Sequence, residues 1–124
     1  MNCPPFSHKQ FARYTKGIPN IKSIIGRSPD NVRHWRTNVD VYFDDSMHHN
    51  PYFKANLYFW LQHMKPGGIM CGHDYCAAWP DVCAEVNKLG KLLETKAHVE
   101  EWVWSMEIPN RIPLRCQLEG MFES

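Results

Sequence analysis

No apolar run in this 124-residue chain approaches the ~18 residues that a membrane-spanning helix needs. The N-terminus, MNCPPFSHKQ, carries two prolines and no apolar core, which excludes a secretory signal of the usual kind. There is no internal repeat and no low-complexity segment. Neither sign of charge is in excess: 14 Lys and Arg face 13 Asp and Glu, a formal net charge of +1. That balance argues against a dedicated binder of nucleic acid or of an anionic membrane. Cysteine is odd in number, with five residues (Cys3, Cys71, Cys76, Cys83 and Cys116) at irregular spacing. A disulfide framework is therefore not expected, and the chain reads as a reduced, cytoplasmic protein. What is present is ordinary for a globular chain: 44% apolar, 13% aromatic and 22% charged residues. The length suits a single domain.

The pattern along the chain is an alternation of strands and helices. Phe6, Phe11 and Tyr14 place a short helix around Ser7–Lys16, broken by Gly17 and Pro19. Asn20–Gly26 reads as a short strand. Ser28 and Pro29 form an N-cap and first-position pair for a helix over 29–36. Val39–Phe43 is the clearest strand, and it runs straight into DDSMHH. Pro51 opens a helix whose Tyr52, Phe53, Leu57, Phe59, Trp60 and Leu61 form its core face, and Lys65-Pro66-Gly67-Gly68 stops it. Ile69–Gly72 is a very short buried strand that ends in His73-Asp74-Tyr75. A further helix starts near Pro80, with Asp81 in its first turn and Val82, Val86, Leu89 and Leu93 at helical spacing. Val99–Ile108 reads as the last strand, with Trp102 and Trp104 on one packing face. The expected layout is an N-terminal helix and loop over 1–19, an α/β core over 20–108 and a tail over 109–124. Such alternation predicts mostly parallel strands flanked by helices.

In sheets of that kind, polar residues at the carboxyl ends of strands line the ligand crevice. Asp44, Asp45 and His48 follow one strand, and His73 and Asp74 follow the next. Asp45 and Asp74, side by side, suit a hard divalent cation such as Mg²⁺, with His73 or water completing the shell. Such a cation polarises a substrate hydroxyl, and a neutral His48 is placed to take its proton. The same residue types also serve as helix caps and solvated loops, so both readings stand at this point. Cys71, His73, Cys76 and Cys83 offer a zinc alternative, although C-x-H-x-x-C-x6-C matches no usual zinc knuckle. The aromatic stripe over 52–60 reads as helix core. Trp79, just before a helix, either covers a ligand or packs.

The stretch VDVYFDDSMHHNPYFKANLYFWLQHMKPGGIMCGHDY resembles the later half of class I S-adenosylmethionine-dependent methyltransferases. It resembles most the branch with an "iDGsH" segment after the fourth strand and a "kpGGii.gHDy" segment around the fifth. Asp45 and His48 match the first motif; Pro66, Gly67, Gly68, His73, Asp74 and Tyr75 match the second. Trp79-Pro80-Asp81-Val82 resembles a helix start of that branch, and Trp102-Val103-Trp104 resembles a late-strand pattern. Ile24–Pro29 resembles its third strand and turn, with Ser28 as the family's Ser and Arg27 in place of an Asp. The likeness runs from about Phe11 to Ile108.

This resemblance implies a partial Rossmann-like sheet without the family's first two strands. It implies S-adenosylmethionine as cofactor, with Ser28 and Asp45 as cofactor contacts. Asp45, His73 and Asp74 become candidate Mg²⁺ ligands and His48 the candidate base. The implied reaction is O-methyl transfer to a small molecule or sugar. No G-x-G pattern occurs anywhere in the chain, so the Gly-rich loop that approaches the cofactor in the family is missing. The chain thus reads as a fragment that begins just before the third strand. Two further expectations follow: a non-catalytic remnant serving as an interaction module, and pairing either as a homodimer or with a chain that supplies the missing half.

Overall fold

The computed structural model describes residues 7–112. Residues 1–6 and 113–124, with Cys3, Cys116 and most of the expected tail, lie outside the described residues. The elements in chain order are α1 (His8–Thr15), a 3-10 turn (Asp30–Val32), β1 (Val39–Asp44), α2 (Tyr52–Leu61), β2 (Met64–Gly72), α3 (Pro80–Leu92), β3 (His98–Glu100) and β4 (Val103–Glu107). The four strands form one sheet in the order β1-β2-β4-β3.

The helix expected around Ser7–Lys16 is α1, and Ser7 caps it by accepting from the Gln10 amide at 3.2 Å. Residues 20–26, expected as a strand, carry no strand structure. Ile24 and Ile25 are both exposed, so a strand here would have had no cover for either face. The helix expected over 29–36 shrinks to the 3-10 turn, because Ser28 does not cap it: its hydroxyl donates to Asn56 Oδ1 at 2.6 Å instead.

β1 and β2 pair in parallel, with Asp44 opposite Gly72. Lys65–Gly68 does not simply end α2. The helix stops at Leu61, and these four residues bulge out of β2, where the register jumps from Val39↔Met64 to Val41↔Ile69. Gly67 takes φ 78°, a conformation that favours glycine.

The expectation of mostly parallel strands is corrected by the rest of the sheet. β4 is antiparallel to β2, and β3 is antiparallel to β4, so one of three pairings is parallel. The cause is local. Glu101 and Trp102 both take positive φ (49° and 70°) and fold the expected Val99–Ile108 strand into a hairpin. Trp102 therefore sits at the turn and is exposed, whereas Trp104 is fully buried; the two do not share a packing face.

Phe53, Leu57, Tyr58 and Leu61 of α2 pack with Val82, Val86 and Leu89 of α3 against Met70, Trp104 and Met106 of the sheet. Tyr52 is exposed, and Trp60 turns toward β1, where it stacks on Tyr42 at 5.7 Å. The covered face of the sheet includes Gly72, where a Cβ would meet Trp104 Nε1 at 2.6 Å and the Asp44 carbonyl oxygen at 2.7 Å. Among the described residues, no helix is long and apolar enough to cross a membrane.

Gly72→Ala should cost about 1–3 kcal/mol, because neither the indole nor the backbone oxygen can yield that much space. A urea unfolding free energy lowered by that amount checks it; an unchanged value would show that β2 and β4 can separate cheaply.

Candidate functional site

The site is built from the two segments that leave the parallel pair. β1 ends at Asp44, which is 4% exposed. Its carboxylate accepts from Tyr42 Oη at 2.5 Å, from the Ser46 amide at 3.0 Å, from Ser46 Oγ at 2.8 Å and from Asn56 Nδ2 at 3.1 Å. Burial, with the Asp44 charge beside it, pushes the Tyr42 phenol far above the ordinary tyrosine range, so it stays a donor. Asp44 is therefore not a cap of α2. Asn50 takes that role instead: its Oδ1 accepts from the Lys54 amide at 3.1 Å.

The chain then presents Asp45, exposed, and His48, half-buried. β2 ends at Gly72, and the His73 amide donates to the Asp44 carbonyl at 3.0 Å, which carries the parallel pairing one step further. Asp74 follows with φ 63°, a left-handed conformation that Asp tolerates better than most residues.

That backbone turn aims the Asp74 carboxylate at two imidazoles. His48 Nε2 hydrogen-bonds Asp74 Oδ2, and His73 Nδ1 lies 3.0 Å from Asp74 Oδ1. His48 Nε2 is also 3.8 Å from Asp45 Oδ1. Partial burial works to raise the Asp74 pKa, but the hydrogen bonds and charges of His73 and His48 outweigh it and hold the carboxyl below its usual range.

Asp45, His48 and Asp74 each offer one ligand atom, and these atoms lie within 4.8 Å of one another. His73, expected as a ligand, is not part of this group and pairs with the far oxygen of Asp74. Ser28, expected to touch the cofactor, is engaged within the fold: its hydroxyl donates to Asn56 and accepts from Trp60 Nε1 at 2.9 Å. The zinc set does not gather among the described residues. Cys71 donates to the Tyr42 carbonyl and Cys83 to the Cys76 carbonyl, and burial pushes both thiols up, away from the thiolate that zinc requires.

Three features escaped the sequence. Asn56, buried on α2 between Phe53 and Leu57, bridges Asp44, Tyr42, Ser46 and Ser28. Asn50 latches the β1 loop to α3 through Asp81 (2.8 Å) and Glu85 (3.0 Å). Trp79 lies against His48, with ring centroids 4.7 Å apart. Only Trp79 had left a signal, as an aromatic residue standing just before a helix.

The profile of a family described as a methyltransferase domain matches residues 4–75. The matched stretch contains β1, α2, β2 and the whole Asp45–His48–Asp74 group, and it is more than half of the chain. The chain belongs to this methyltransferase-domain family. No curated protein and no solved structure matches it significantly.

The family implies S-adenosylmethionine, but among the described residues the expected contact Ser28 is not open to it. The donor hydrogen of Ser28 is spent on Asn56, and there is no Gly-rich loop.

Asp74→Asn should remove a carboxylate whose depressed pKa favours the folded state. That contribution is full above the unfolded value of about 3.9 and is lost as pH falls through the lower folded value. Wild type should exceed the variant by about 1–2 kcal/mol near pH 5 and converge with it near pH 2. Urea midpoints across that range check it; a gap that widens on acidification would reverse the assignment.

Proposed function

We propose that this methyltransferase-like chain carries the acceptor-activating part of an O-methyltransferase that acts on a small molecule or sugar. The observation that supports it is the hydrogen bond between His48 Nε2 and Asp74. A carboxylate on one ring nitrogen fixes the imidazole's orientation and tautomer and stabilises the imidazolium after proton uptake. With Nε2–H given to Asp74, Nδ1 is left with the lone pair that accepts a proton from an acceptor hydroxyl. In this reading Asp74 is the partner of the base. Trp79 walls one side of the imidazole and limits the positions its ring can take.

A second reading keeps Asp74 as a ligand. The spacing of Asp45, His48 and Asp74 suits a divalent cation such as Mg²⁺, which would supply Lewis-acid polarisation of the acceptor oxygen. A third reading, a non-catalytic interaction module, is favoured by the internal pairing of Ser28 and the missing Gly-rich loop.

Transfer of labelled methyl from S-adenosylmethionine to a panel of sugar and phenolic hydroxyls separates the three. On the first reading His48→Ala lowers turnover by about 10²–10⁴-fold, Asp74→Asn lowers it less, and chelator has no effect. Activity lost to chelator and restored by Mg²⁺ would move the proposal to the second reading. A wild-type chain with no turnover, and a melting temperature indifferent to S-adenosylmethionine, would leave the third.

A further inference from the structure

The loop after β1 and the start of α3 meet at two places that are in step. His48 lies on Trp79, with ring centroids 4.7 Å apart. Two positions later on each segment, the Asn50 amide donates to Asp81 Oδ2 at 2.8 Å. Asn50 is committed at two further atoms. Its Nδ2 donates to Glu85 Oε1 at 3.0 Å, and its Oδ1 accepts from the Lys54 amide at 3.1 Å. Asp81 and Glu85 are one helical turn apart, so one face of α3 receives both donors of Asn50. Glu85 is buried, and its other oxygen, Oε2, has no hydrogen-bond partner. Asn50 therefore also offsets part of the cost of burying that carboxylate.

The two segments are anchored differently. The Trp79 amide donates to the Cys76 carbonyl at 3.0 Å, and its carbonyl accepts from the Val82 amide at 3.1 Å. Trp79 thus belongs to the first turn of α3, and that helix is fixed in the core through Val82, Val86 and Leu89. His48 belongs to the loop. Its hydrogen bond to Asp74 fixes where Nε2 lies but leaves the imidazole free to swing about that nitrogen. An indole against the ring face removes this freedom, provided that the loop stays on the helix.

We propose that Asn50 and Asp81 are positioning residues for His48: their hydrogen bond clasps the loop to α3, so that Trp79 sets the plane in which Nδ1 meets an acceptor hydroxyl. The proposal rests on the reading of His48 as the base. A base held a fraction of an ångström out of line loses much of its rate advantage, even when the displaced contact is remote from the reacting atoms.

Asp81 also stands in the first turn of α3, where its charge alone favours the helix. Two substitutions separate the roles. Asp81→Asn removes the charge and keeps an acceptor oxygen; Asp81→Ala removes both. Asp81 is a better target than Asn50, whose removal leaves Glu85 buried without its donor.

The first measurement is the displacement of the His48 ring-proton resonances by the Trp79 ring current, with Trp79→Leu as the zero. Asp81→Ala should lose most of this displacement, and Asp81→Asn should keep it. The second is methyl transfer to whichever hydroxyl compound of the sugar and phenol panel wild type methylates best. Asp81→Ala should lower kcat by about tenfold or more with KM little changed, and Asp81→Asn should stay near wild type. Circular dichroism verifies that both variants are folded. Three results overturn the proposal: His48 resonances at their wild-type positions in Asp81→Ala, Asn and Ala variants that behave alike, or a raised KM at unchanged kcat. A wild-type chain without turnover, or a His48→Ala chain as active as wild type, would overturn the base reading instead. The ring-current displacement needs no turnover and decides the clasp by itself.

Discussion

Asp44 is a carboxylate taken almost wholly out of water, and the desolvation of such a group costs several kcal/mol unless donors replace the lost water. Here Tyr42, Ser46 twice and Asn56 supply them. Those donors come from the strand, the loop after it and the helix beyond, so satisfying one charge fixes three pieces of chain relative to one another. The Asp44 carbonyl then takes the His73 amide and fixes a fourth. The positions of Asp45, His48 and Asp74 depend on this. His48 packs on Trp79, and all three sit within a few residues of the Asp44 junction.

The same junction explains why the tight contact at Gly72 matters. Gly72 lies opposite Asp44, beneath Trp104, and Asp74 follows two residues later. Close approach of β2 to the indole sets the height at which the β2 segment leaves the sheet. The positive φ at Asp74 then turns its carboxylate back toward the β1 loop. A backbone in that conformation persists where its surroundings over-determine it, and the paired imidazoles on both carboxylate oxygens supply that determination.

How much of this was legible follows from range. β1 was legible because VDVYF is β-branched and aromatic over one unbroken run. The meeting of Asp45 with Asp74 was legible because adjacent parallel strands must end on the same side. The hairpin was not, since Glu101-Trp102 carries none of the Asn or Gly that normally announces two positive-φ residues. Missing it made a mixed sheet read as mostly parallel. Ser28 misled for another reason. A Ser before a Pro is a good local cap, but the residue that captured its hydroxyl, Asn56, lies 28 positions away inside an otherwise apolar helix. Local propensity yields to such a long-range hydrogen bond when both partners are shielded from water.

The chemistry of the site turns on a single lone pair. His48 Nε2 cannot both donate a proton to Asp74 and give its electrons to a cation. With the proton present, His48 and Asp74 would form a base and its orienting partner, with Asp45 3.8 Å from the same nitrogen. With a cation in its place, Asp74 and Asp45 become equal ligands, and the base function must pass to another group. Asp74 is drawn onto both imidazoles rather than splayed toward Asp45, and its carboxyl is held ionised by them. On the proposed reading, a carboxylate arranged in this way would set which nitrogen of His48 carries the proton, and through that which nitrogen would face an acceptor.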